Sequence, residues 1–192
     1  EGNLDLGVLE KALTVLIRRH EALRTTFFQK EEVVRQQIHP APIGSVLRYF
    51  DFSHHSNPVV IANEFLRTEA LQPFDLIEGP LLRGSVLKIA DQHHVLAFIL
   101  HHIICDGWSI DVIVRELSLL FRAFSEGTTV ALATLPIQYR DFAAWQNAQL
   151  TQPQTDTARQ YWLRQLAGDL PVLELPTDFP RPARQSFKGQ TL

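Results

Sequence analysis

The sequence contains no methionine and a single cysteine, Cys105, in 192 residues. One thiol cannot close a disulfide within the chain, so the expected compartment is a reducing cytoplasm. The missing methionine and the opening Glu1-Gly2-Asn3 give the expectation that the chain is an excised piece of a longer polypeptide. The start does not resemble a secretory signal, and no apolar run nears the roughly 20 residues that span a bilayer. Basic runs are missing too: 18 Lys and Arg stand against 21 Asp and Glu, a net charge of −3. Neither nucleic acid nor a membrane is therefore an expected partner. No internal repeat or low-complexity tract interrupts the chain. What is present is 45% apolar and 20% charged, enough to build the core of an ordinary domain.

Leu6, Leu9, Leu13, Leu16, Ile17 and Leu23 recur at helical spacing and predict an amphipathic helix over 5–24. Short strands are expected at 25–29, 32–39 and 46–52, with Pro40 and Pro42 ending the second. A loop at 53–57 leads through Asn57-Pro58 into a helix at 59–71. Two more strands, 81–89 and 95–102, flank a hairpin-like connection at 90–93. Helices follow at 110–124, closed by Glu126-Gly127, and at 137–150 and 156–166. Residues 171–192, punctuated by Pro171, Pro176, Pro180 and Pro182, read as an extended connection. This order predicts an α/β fold, a mixed α+β sandwich with helices packed on a mixed sheet.

The densest chemistry lies in His101-His102-Ile103-Ile104-Cys105-Asp106-Gly107-Trp108-Ser109. An apolar, β-branched run brings two histidines to a strand end, Asp-Gly turns the chain, and a helix follows. Strand ends and the loops after them line clefts. Consecutive strand residues face opposite ways, so His101 and His102 would not converge on one metal ion. His54-His55 and His93-His94 fall in predicted loops without ligand spacing, and no metal site is expected. Ser109 lacks the second glycine of a nucleophile elbow and reads as a residue of the first helical turn. Cys105 shares the parity of His101 and reads as an inert, buried thiol. Asp106 either caps the helix or pairs with an arginine. His102 is either a core histidine satisfied by hydrogen bonds or a functional one.

The run His101-His102-x-x-x-Asp106-Gly107-Trp108-Ser109 resembles the signature of condensation domains of nonribosomal peptide synthetases. Two further stretches match that family in order: Arg19-His20-Glu21-Ala22-Leu23-Arg24-Thr25-Thr26-Phe27 and Tyr139-Arg140-Asp141-Phe142-Ala143-Ala144-Trp145. The resemblance implies a chloramphenicol acetyltransferase-like lobe over 1–170, lacking the family's first motif, with 171–192 crossing toward a second lobe. The isolated lobe is expected to be inactive, because the family's active site is a tunnel between two lobes.

The implied reaction is acyl transfer: the α-amine of an acceptor aminoacyl thioester attacks a donor acyl or peptidyl thioester, and an amide forms. The resemblance assigns catalysis to His102, as base, positioner or oxyanion stabiliser, with a contribution from the Gly107 backbone N–H at the helix start. It makes His101, Asp106 and Arg24 structural, the last two as a buried ion pair. Arg19, His20 and Glu21 are expected to end a helix rather than touch substrate. Tyr139, Asp141, Phe142 and Trp145 read as packing and capping residues. The implied partners are upstream and downstream peptidyl carrier domains, whose phosphopantetheine arms hold the substrates, and an adjacent adenylation domain. The domain itself is expected to bind no cofactor. Two alternatives remain: an epimerization domain of the same family, which usually continues Val-Ser-Trp where this chain has Trp108-Ser109-Ile110, and a non-catalytic platform recruiting carrier or tailoring proteins. A heterocyclizing relative would carry aspartates where this chain has histidines.

Overall fold

The computed structural model describes residues 2–42, 44–180 and 182–184. The chain divides into two compact units, 1–145 and 146–192.

The first unit begins with helix α1 (Leu6–Arg19), capped by Asp5, whose side chain accepts a hydrogen bond from the Val8 amide at 3.0 Å. Leu9, Ala12, Leu13, Leu16 and Ile17 form its buried stripe, the three- and four-residue spacing of one helix face. The helix predicted over 5–24 stops at Arg19. His20 leaves helical geometry, and Glu21–Arg24 make a separate 3₁₀ turn. Strands β1 (Thr25–Lys30) and β2 (Val33–Ile38) then pair as an antiparallel hairpin.

A second sheet has the order β3 (Leu47–Asp51), β4 (Leu82–Ala90), β5 (His93–Leu100). The β3–β4 pair is parallel and the β4–β5 pair antiparallel, so this sheet is mixed, as the order of elements predicted. Helix α2 (Pro58–Leu71) makes the crossover from β3 to β4, which a parallel pair requires. Asn57 stands at its N-cap without a side-chain bond, and Pro58 occupies the first turn.

Alternation along β4 divides the core. Val86 points into a cluster with Leu13, Leu16, Leu117 and Leu120 of the α1 and α3 side, whereas Leu87 and Ile89 meet Ala62, Phe65 and Leu66 of α2. Helices therefore cover both sheet faces. Gly84 shows how tight the α1 face is: a Cβ there would sit 2.7 Å from Leu47 Cδ2 and 3.2 Å from Phe98 Cε1. Gly84→Val is expected to destabilise the domain by about 1–3 kcal/mol through overpacking, measured by denaturant unfolding.

Helix α3 (Gly107–Ser125) packs against α1 and ends at Glu126-Gly127, where Gly127 takes the left-handed φ of +64° that glycine tolerates best. Helix α4 (Tyr139–Leu150) follows. In the second unit, α5 (Pro153–Gln165) has Pro153 in its first turn, and 171–180 hold no helix or strand. Part of the segment expected to cross to a second lobe, 181 and 185–192, lies outside the described residues. Among the described residues no helix is long and apolar enough to cross a membrane.

Two sequence expectations need correction here. His93 and His94 open β5 instead of sitting in a loop; the hairpin turn is only Asp91-Gln92, with Ala90 opposite His93. Strand β5 also ends at Leu100, so the parity argument does not reach His102 or Cys105. The chain turns at His101, whose amide donates to the Leu81 carbonyl at 3.0 Å, and residues 102–104 form the turn itself.

Candidate active site

The link between β5 and α3 is built by its own short-range hydrogen bonds. His101 Nδ1 accepts from the Ile103 amide at 3.0 Å, and the Ile104 amide donates to the His101 carbonyl at 3.1 Å. The His101 ring also meets Phe74 edge-on, with centroids 5.8 Å apart. His101 is thereby tied into the turn, which leaves His102 exposed beside it. Cys105 is half-buried, its Sγ 3.8 Å from the His101 carbonyl. Burial pushes its thiol up, and the Asp106 charge adds to the effect; a thiol so placed is a poor nucleophile.

Asp106 caps α3 in a reciprocal arrangement. Its Oδ1 accepts from the Ser109 amide at 2.8 Å and from the Ser109 hydroxyl at 2.6 Å, while its own amide donates to Ser109 Oγ at 3.2 Å. The bonds from Ser109 hold its carboxyl below the usual range. Gly107 is the first residue of α3, where an amide has no partner within the helix. The expected Asp106–Arg24 ion pair is absent among the described residues. Asp106 is committed to its cap, and Arg24 lies against other groups: it donates to the carbonyls of His39 and Arg18 and sits 3.7 Å from Glu21. Arg24 therefore ties the 3₁₀ turn to the end of β2.

His102 lines a cleft of about 340 Å³ with Ile103, Cys105, Asp106 and Ser109. Across it lie Phe27, Gln36 and Ile38 of the hairpin, and Leu135, Ile137 and Gln138 ahead of α4. His20 and Glu21 complete the wall. Gln138 fastens that wall: its side chain donates to the Arg19 carbonyl at 2.9 Å and accepts from the Glu21 amide at 3.2 Å. Asp141 receives the Gln138 amide at 2.8 Å, and the rings of Tyr139, Phe142 and Trp145 stack in succession along α4.

The spacing of the motifs does not reveal Glu116. It stands among the buried residues of α3, with its carboxylate on His20 Nε2 at 2.7 Å and on Arg19 Nε at 3.1 Å. The signal was present as a lone carboxylate on the face set by Ile113, Leu117 and Leu120. Burial alone would push its carboxyl up, but the hydrogen bonds and charges of His20 and Arg19 outweigh this and hold it below its ordinary 4.5. A depressed folded value stabilises the protein above the unfolded value, and that contribution disappears as pH falls through the folded one. Stability is therefore expected to drop as pH is lowered below about 4.5, and Glu116→Gln should flatten this acid limb in thermal melts taken from pH 7 to 3.

Comparison with known proteins bears on what such a cleft does. The model of the family described as condensation domain matches residues 1–192. The chain belongs to the condensation domain family. It is 42% identical over 192 residues to chondramide synthase cmdD of Chondromyces crocatus, covering 98% of this chain and 5% of that protein. Among solved structures it is similar to the starter condensation domain of rhizomide synthetase RzmA (TM-score 0.79, 26% identity, 88% of this chain and 41% of that one). It is also similar to the X-domain from teicoplanin biosynthesis (TM-score 0.77, 31% identity, 95% and 40%). The condensation domain chain thus spans about two-fifths of each solved relative. Its mixed sheet with helices on both faces agrees with the fold expected from the sequence.

Proposed function

We propose that this chain carries one wall of the reaction cleft of a condensation domain, and that the whole domain joins two carrier-bound acyl groups through an amide. The acceptor nitrogen forms a bond to the donor carbonyl carbon, the carbon–sulfur bond breaks, and the donor carrier's phosphopantetheine leaves as a thiol with one proton from the amine. His102 is the residue assigned to this chemistry. The observation that carries the assignment is its exposed position in the cleft, on a turn whose geometry His101 and Asp106 hold without it.

His102 takes the proton from the attacking nitrogen, with the Gly107 N–H, at the positive end of α3, near the developing oxyanion. Asp106 acts through the turn by capping α3, and Arg24 through the hairpin. The domain binds no cofactor of its own; the partners are upstream and downstream carrier domains and an adenylation domain of the same cytoplasmic synthetase. The amide-forming reading is favoured over epimerization by Trp108 directly after Gly107.

The test mixes a full condensation domain containing this chain with a loaded donor carrier and a loaded acceptor carrier, and follows the acceptor by mass. The expected result is an acceptor heavier by the donor's acyl group. A change of configuration at the donor's α-carbon without transfer would replace this reading by epimerization.

A further inference from the structure

We propose that His20 is a second substrate-binding imidazole of the cleft, accepting a hydrogen bond at Nδ1 from the acceptor's amine while Glu116 holds its Nε2. The inference rests on the reading of the cleft as the place of amide formation. Glu116 is 6% exposed, and its carboxylate can only accept. Its contact with His20 Nε2 at 2.7 Å therefore sets the ring hydrogen on Nε2, which in the neutral ring leaves the lone pair on Nδ1.

Arg19, bonded to the same carboxylate at 3.1 and 3.4 Å, balances its charge. Nδ1 has no hydrogen-bond partner among the described residues, and the side chain, 20% exposed, lines the cleft that His102 also lines. An acceptor-only nitrogen there selects a donor. Of the reacting groups, the thioester carbonyl and the leaving sulfur offer no N–H, and the amine offers two. Holding one N–H aims the nitrogen lone pair, and the bond strengthens as that nitrogen becomes cationic.

The deciding variant is His20→Gln, measured in the full domain with loaded carriers. Glutamine can still donate from Nε2 to Glu116, so a role confined to pinning α1 on α3 survives, but the ring's second nitrogen is gone. Expected is a roughly 10–100-fold fall in kcat/KM for the acceptor, the range of a hydrogen bond to a charged group, with unchanged donor half-saturation and melting temperature. Wild-type acceptor kinetics in His20→Gln would overturn the proposal.

A second measurement needs no variant: nitrogen-15 histidine spectra of the wild-type domain, titrated with a stable alanyl-aminopantetheine amide. The imidazole bonded to Glu116 should shift at Nδ1, and an unmoved resonance at saturation overturns the proposal. A wild type that makes no amide instead removes the functional reading itself, and His20's role with it.

Discussion

His102→Ala in the full condensation domain is expected to slow amide formation by roughly 10²–10⁴-fold, the usual reach of a general base, without disturbing the fold. The fold should survive because His102 is exposed, and the turn around it is held by His101, Ile103, Asp106 and Ser109. The size follows from where the barrier lies. A free α-amine titrates at about 7.7–8.0, so presenting it neutral at pH 7 costs only about 1 kcal/mol. The costly moment comes after attack, when nitrogen is cationic and oxygen anionic, and a base beside the nitrogen acts there. Single-turnover transfer followed by mass gives the rate. If His102 is the base, the wild-type rate falls on the acid side as the imidazole is protonated, and the alanine variant loses that limb. An oxyanion stabiliser would show the same loss of rate with the opposite pH dependence, since a cationic ring serves it better. Wild-type rates in a folded variant would remove His102 from the chemistry.

Leu16→Ala should cost about 2–5 kcal/mol of unfolding free energy, the range for emptying a buried leucine site. That is a large share of the roughly 5–15 kcal/mol that holds a domain together. Leu16 is fully buried, midway along the α1 stripe that packs on Leu117 and Leu120 of α3. Its loss would also loosen the seam that brings Arg19 and His20 to Glu116, so activity and stability should fall together. Urea unfolding of the full domain measures the cost, with Leu6→Ala as the control: Leu6 is 36% exposed on the same helix and should cost under about 1 kcal/mol. Equal costs at the two sites would mean that α1 does not bury the stripe described.

Much of this fold was legible because its signals are local. The stripe from Leu9 to Ile17, Pro58 behind Asn57 and the Glu126-Gly127 stop each depend on neighbours within a turn or two. The capping role of Ser109 is equally local, and the structure bears it out. The same locality misled at the end of β5. The apolar run through Ile103 and Ile104 looks like strand to the last residue, yet Leu81 captures the His101 amide and the chain turns. Parity, valid inside a strand, had no force beyond it.

By itself, the sequence determined the elements, the family and the motif that carries His102, since periodicity, caps and ordered motifs are written in consecutive residues. Tertiary structure alone decided which groups meet. It paired β3 parallel to β4 across the α2 crossover, committed Asp106 to its helix cap instead of Arg24, and joined His20 to Glu116 across 96 positions. Those outcomes depend on which faces bury together: a carboxylate on the core side of α3 must find cations, and the packing of α1 on α3 delivers Arg19 and His20 to it.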